Sequence, residues 1–193
     1  MIVYPFQPDL PFGYSVTGFD EEKKAPASEL YLLPPGTQPP ASFAGGVIFC
    51  GSPGCTDARV LQPVQTAAPD AAGVWADTQV SGGSLEGYVR PLLARWGGRL
   101  WMYLRPLCMR FQVPCPTGVG EALEPDAARA LQARYPSHFS PELVCRYSFF
   151  RNEAGQPRVF LFDTGETCRQ KLALLRALGV RQVFGQIPPN TGG

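Results

Sequence analysis

The sequence predicts an α/β fold, a compact and trimmed or incomplete (β/α)-barrel with a loop-rich N-terminal half. Three observations lead there. The stretch from Cys145 to Ile187 reads as strand, hairpin turn, strand, helix, strand, with a marked boundary at each change. Its strands are apolar on both faces, the pattern of a parallel sheet covered by helices. The chain has 193 residues, whereas a complete barrel of this kind takes about 250 and rarely fewer than about 200. Loops must then replace some helices. An open parallel sheet built from the later strands is the competing architecture.

Apolar runs place strands at 2–5, 30–33, 46–50, 73–77, 100–104, 143–150, 159–162 and 183–187. The runs at 73–77, 100–104, 143–150, 159–162 and 183–187 are expected to be neighbours and mostly parallel. Helix 84–96 opens on a serine cap, Ser84, and carries the stripe Leu85, Val89, Leu92, Leu93 and Trp96. Pro91 within it is expected to kink or break it. Helix 124–135 has Pro125 in its first turn and stops before Pro136. Helix 165–178 is opened by Asp163-Thr164-Gly165-Glu166, a cap and acidic first turn, and stopped by Gly179. Residues 7–45 are broken by Pro and Gly, and residues 51–72 leave room for at most one short helix. The chain holds 21 prolines and 21 glycines, yet interspersed Phe, Tyr and Leu argue against disorder in this half. The expectation is one domain over 1–193, loop-rich in 1–70 and regular in 71–193.

Composition excludes several classes. A formal net charge of +1 with scattered arginines gives no electrostatic case for nucleic acid. Lys23 and Lys24 stand beside Glu21 and Glu22, a solvated turn. No apolar run approaches the roughly 20 residues of a membrane helix. The N-terminal MIVYPFQPDLPFG lacks the basic start and apolar core of a signal peptide, so a cytoplasmic location is expected. Six cysteines contain no CxxC pair, and His138 is the only histidine. Neither a zinc site nor any cofactor is expected. The thiols are expected to be reduced, with Cys50, Cys145 and Cys168 buried. A Cys50–Cys55 bridge is geometrically open but unneeded in a reducing compartment.

Local chemistry concentrates in Ala71-Ala72-Gly73-Val74-Trp75-Ala76-Asp77-Thr78-Gln79. A strand that ends in Asp-x-Gln before a Ser-Gly-Gly turn and a capped helix puts Asp77 where ligand chemistry sits on such sheets. The competing role for Asp77 is to end the strand and bond amides of the next loop. By the same strand-end argument Asp163 and Gln186 are candidates.

These residues carry a family likeness. The segment resembles the fourth-strand motif of chitinase-type glycoside hydrolases, Asp-Gly-x-Asp-x-Asp-x-Glu. Gly73 and Asp77 match its glycine and last aspartate. Ala72 and Trp75 replace the other two aspartates, and Gln79 replaces the glutamate. RVFLFDTGETCRQKLALLRALGVRQVFGQ is similar to the last strand–helix–strand of that barrel, so the likeness spans residues 72–187. It implies a sugar-hydrolase shape. It also implies that the general acid is missing, because an amide can hydrogen-bond a sugar but cannot protonate a glycosidic oxygen.

Other acids could substitute. Asp163 ends a strand, although a helix cap is its competing role, and Glu142 lies in the Ser140-Pro141-Glu142 turn. Two carboxylates about 5–10 Å apart would serve a conventional glycosidase, so Asp77, Asp163 and Glu142 are the catalytic candidates. Binding candidates are Asp77, Gln79, Tyr103, Arg105, Tyr147 and Gln186. Of Arg146 and Tyr147, strand alternation sends one inward. An inward arginine would make a structural ion pair or an anion site. Trp75, Trp96, Trp101, Tyr103 and Tyr147 read mostly as core, with any ring at the mouth able to stack a sugar. His138, in a proline-bounded loop, has no triad partners. No G-x-S-x-G or P-loop motif occurs. Three functions remain: non-catalytic carbohydrate binding or scaffolding, hydrolysis by a rearranged acid pair, and a protein–protein module on the proline-rich half. A glycan is the expected ligand, with no nucleic-acid or membrane partner.

Overall fold

A computed structural model of the protein describes residues 15–18, 29–33, 47–50, 60–185 and 187. The chain first lays down β1 (Ser15–Gly18), β2 (Glu29–Leu33), β3 (Val47–Cys50), β4 (Val60–Pro63) and β5 (Val74–Asp77). Helix α1 (Leu85–Trp96) leads to β6 (Leu100–Leu104). There follow β7 (Cys108–Gln112), β8 (Glu121–Ala122), α2 (Pro125–Arg134) and β9 (His138–Ser140). Last come β10 (Cys145–Arg151), β11 (Pro157–Phe162), α3 (Gly165–Ala177) and β12 (Gln182–Gly185).

These elements form two sheets. The first has seven strands in the order β1-β2-β3-β4-β5-β6-β12, and every neighbouring pair is parallel. Its outer strands β1 and β12 lie against each other, but no ladder closes the sheet among the described residues. The second has five strands in the order β8-β7-β11-β10-β9 and is antiparallel throughout.

Alternation along the parallel strands separates two faces. Val74, Ala76, Leu100, Met102 and Val183 pack on Leu85, Val89 and Trp96 of α1 and on Leu172 and Leu175 of α3. The opposite face is aromatic, because register sets Trp75 beside Trp101 and Tyr103 beside Phe184. Tyr103 stacks on Phe184 at 4.8 Å and meets Trp75 edge-on at 6.2 Å between ring centroids. Burial on both faces explains the unbroken apolar runs of β6 and β12. Gly185 lets these two strands approach: its φ is 134°, and a Cβ there would stand 2.3 Å from the Leu104 carbonyl oxygen.

Helix starts follow their caps. Ser84 Oγ accepts from Gly87 N at 3.0 Å, and Pro125 opens α2. In α3 the cap is Thr164 rather than Asp163, in a reciprocal box with Thr167. Pro91 does not break α1, which runs on to Trp96. Pro91 and Gly87, whose carbonyl loses a donor, are both exposed, so water can take the missing bond.

One expectation is overturned. The runs at 159–162 and 183–187 are not neighbours: β11 is central in the antiparallel sheet and β12 ends the parallel one. The run at 143–150, observed as β10, joins β11 through the Asn152–Gln156 turn and so is antiparallel to it. Phe160 and Phe162 face α2, while Leu161 joins Phe111 and Cys145 on the other side. A strand covered on both faces reads as apolar whatever the direction of its partners. The N-terminal half also carries more strand than expected, since β1 (SVTG) and β4 (VLQP) are short and partly polar. The run expected at 2–5 lies outside the described residues. His138 begins a strand rather than lying in a loop, as do Cys108 and its neighbours.

Among the described residues no helix is long and apolar enough to cross a membrane. Cys108, Cys115, Cys145 and Cys168 are free, and Cys145 and Cys168 are fully buried. Cys50, as a side chain, and Cys55 lie outside the described residues. Burial, then the Asp163 carboxylate, pushes the Cys145 thiol up to about 11 and Cys168 up to about 12. Lys171 opposes both shifts.

A thiol whose folded pKa is raised stabilises the fold below its unfolded value and loses that contribution as pH climbs towards the folded one. From pH 9 up to about 11 for Cys145 and about 12 for Cys168, each thiol should therefore cost up to about 1.4 kcal/mol of stability per pH unit. Urea titrations across this window should show a shallower alkaline decline in Cys168→Ala than in wild type. Equal slopes would mean that Cys168 titrates normally.

Candidate functional site

The site is built where β5 and β6 end. Thr78 continues the ladder, its amide donating to the Tyr103 carbonyl at 3.0 Å. Its hydroxyl donates to the Arg105 carbonyl at 3.3 Å and accepts from the Arg105 amide at 3.2 Å. Thr78 is fully buried, so these bonds fix both strand ends.

Beneath them lies a buried ion pair. Lys171 Nζ meets Asp163 Oδ2 at 2.7 Å, and both side chains are wholly buried. The same oxygen accepts from the Leu107 amide at 2.7 Å, and Oδ1 accepts from Thr167 Oγ1 at 2.9 Å. Lys171 also donates to the Thr78 carbonyl at 3.3 Å. One ion pair thus ties α3, the end of β11, the start of β7 and the end of β5.

Above this frame a cavity of about 310 Å³ opens between the parallel strand ends and the β7–β8 pair. Its polar wall is Gln79, Tyr103, Arg105 and the Cys108 thiol; Pro106, Met109, Ala122 and Leu123 supply the apolar wall. The Cys108 thiol is raised by burial first and by Asp163 second, against a bond to the Leu123 carbonyl. It is therefore a poor nucleophile near neutral pH. Gln79 Nε2 donates to the Pro106 carbonyl at 2.8 Å. A carbonyl can only accept, so the Gln79 amide oxygen is the end left for a ligand.

The sequence candidates separate. Gln79, Tyr103 and Arg105 share this cavity. Asp77 does not line it; it is paired in register with Tyr103, and its Oδ1 accepts from the Gln79 amide at 3.0 Å. Its charge also acts on the Tyr88 phenol, raised by burial first and Asp77 second. Asp163 is enclosed with Lys171. Glu142 is exposed, takes a bond from Ser140 Oγ at 3.3 Å, and offers its main-chain carbonyl to Leu85 N at 2.8 Å. Tyr147 sits on the antiparallel sheet, 5.6 Å from the His138 ring and 5.4 Å from Phe149. Arg146 is held by Ser137 at 2.9 and 3.1 Å. Gln186 lies outside the described residues. Among those described, no cluster of three or more metal-ligating side chains occurs.

Sequence reading missed Thr78, Pro106, Cys108 and Lys171. Lys171 had a signal: it falls on the α3 stripe with Thr167, Cys168, Leu172 and Leu175. A lysine on an apolar stripe calls for a buried acid.

No protein-family model matches the chain, and no curated protein matches it. Solved structures do. One is a Bacillus subtilis protein described as a sporulation-specific glycosylase, at 12% identity and TM-score 0.48, covering 72% of this chain and 53% of that one. A second is the spore cortex-lytic enzyme SleL of Bacillus cereus, at 15% and 0.48, covering 76% and 40%. A third is a chitinase of Chromobacterium violaceum, at 14% and 0.45, covering 75% and 41%. Each of these likenesses is weak and partial. The chain spans about half of those proteins or less.

Two outcomes test the frame. Lys171→Met leaves the Asp163 charge buried without its partner and should cost about 3–5 kcal/mol in urea unfolding. Adding Asp163→Asn should recover part of that loss; a single mutant within about 1 kcal/mol of wild type would contradict the frame. Gln79→Glu sets a carboxylate against the Pro106 carbonyl, raising its pKa. The variant should lose about 1–3 kcal/mol near neutral pH, and the deficit should shrink as pH falls and the carboxyl takes a proton. A deficit independent of pH would show that Gln79 does not bond Pro106.

Proposed function

We propose that this chain is a non-catalytic carbohydrate-binding protein, its parallel sheet an incomplete (β/α)-barrel and its ligand a glycan bound at the strand ends. One observation carries the reading: the cavity offers an amide, a guanidinium and apolar surface, but no carboxylate lines it among the described residues. Glycosidic cleavage needs an acid placed at the scissile oxygen. The candidate acids are engaged elsewhere: Asp163 with Lys171, Glu142 on an exposed turn, Asp77 on the Gln79 amide. At about 310 Å³, the cavity lies at the lower end of the range for small-molecule sites, sized for a single sugar unit. A cytoplasmic setting is part of the same proposal.

Chitin oligosaccharides should bind in calorimetry and remain uncleaved, since lack of an acid removes a factor of about 10²–10⁴. Gln79→Ala should weaken binding about fivefold or more, as the loss of one neutral hydrogen bond implies. Robust cleavage abolished by Asp77→Ala would favour a hydrolase with rearranged acids. Absence of binding to any glycan would remove the carbohydrate reading.

A further inference from the structure

We infer that the cavity selects sugars that carry a carboxylate, and that Arg105 is the specificity-determining residue; the inference rests on the reading of this cavity as a sugar site. Arg105 does its structural work with its main chain. Its amide and carbonyl hold Thr78, whereas its guanidinium makes no ion pair or hydrogen bond among the described residues. The residue is exposed and stands on the cavity wall.

Among the described residues, neighbouring charges leave this cation unneutralised. Glu121, beside Ala122 of the wall, is engaged by Arg110 at 2.6 Å. Asp163 is enclosed with Lys171. Asp77 is bound to the Gln79 amide. An unpaired guanidinium is a fork of donors matched to a carboxylate, and such charge-assisted bonds are about twice as strong as neutral ones. The Gln79 amide oxygen can accept from a sugar hydroxyl, and Pro106, Met109 and Leu123 provide an apolar wall for the C–H face of a ring. A carboxylate alone would use only the first of these features. A neutral sugar would leave the guanidinium idle.

The test uses two matched pairs in calorimetry with the full chain. Methyl glucoside and methyl glucuronide differ at one carbon, and N-acetylglucosamine and N-acetylmuramic acid differ by a carboxyl-bearing ether. Sodium acetate is the third arm. The acidic member of at least one pair should bind about 10- to 100-fold more tightly than its neutral partner, the equivalent of one charge-assisted bond. That preference should fall with added salt and vanish in Arg105→Gln, whose affinities for the two members of each pair should become equal. Because Arg105 holds Thr78 through its backbone, the variant should unfold at the wild-type temperature. Equal affinity within both pairs would overturn the inference and leave the sugar site standing. Acetate binding as tightly as the acidic sugars would reduce the site to an anion hole and overturn it too. No binding by any member would overturn both the inference and the sugar reading.

Discussion

The structure depends on one buried ion pair. Two charges out of water cost several kcal/mol each, and their attraction offsets this only when the remaining donors and acceptors are satisfied. Here Asp163 receives the Lys171 ammonium, the Leu107 amide and the Thr167 hydroxyl, and Lys171 also reaches the Thr78 carbonyl. Lys171 and Thr167 lie within a few turns of Asp163, but Leu107 and Thr78 come from segments far off in sequence, so the pair is fully satisfied only if both sheets are in place. This gives the arrangement of the sheets a specificity that apolar packing alone would not supply.

A second tie reinforces the first. The Glu142 carbonyl accepts the first amide of α1, while Val144 packs into the core of the parallel sheet and Cys145 into that of the antiparallel sheet. Val144 has φ 53°, an unusual state for a β-branched residue that costs about 1–3 kcal/mol. Such a conformation persists only where its surroundings over-determine it, and here both flanks do. The cavity wall at Pro106 is held on one side by Arg105, bonded to Thr78, and on the other by Leu107, bonded to Asp163. Its position, and with it the orientation of the Gln79 amide, follows from contacts that no ligand makes.

Local signals were legible and long-range ones were not. Ser84, Pro125 and Gly179 mark helix ends because caps act within a turn of their own residues. Gly155 and Pro157 announced the β10–β11 hairpin for the same reason. What the chain does after the hairpin is a tertiary choice: β11 and β12 are equally apolar, and only their partners assign them to different sheets. The strand-end rule brought Gln79, Tyr103 and Arg105 together because residues that end adjacent parallel strands are neighbours by construction. It also picked out Asp163, which ends a strand of the other sheet and points into the interface between sheets. Burial separates these two kinds of strand end, and burial is not written in the local pattern.

The same separation explains the chemistry left at the cavity. Around it, structural work falls to backbone groups and to side chains that are fully enclosed. Thr78 and the main chain of Arg105 complete the ladder, and Asp163 and Lys171 neutralise each other out of reach. The Asp163 carboxylate is spent on holding the frame, and the arginine whose main chain holds the frame leaves its side chain on the cavity wall. The proposed binding role asks only for hydrogen bonds and charge pairing from this wall of amide oxygen, guanidinium and apolar surface, and neither needs a proton that moves. Placing a working acid here would take more than a carboxyl at Gln79. It would also require releasing that side chain from the Pro106 carbonyl, which means loosening the contacts that set the wall.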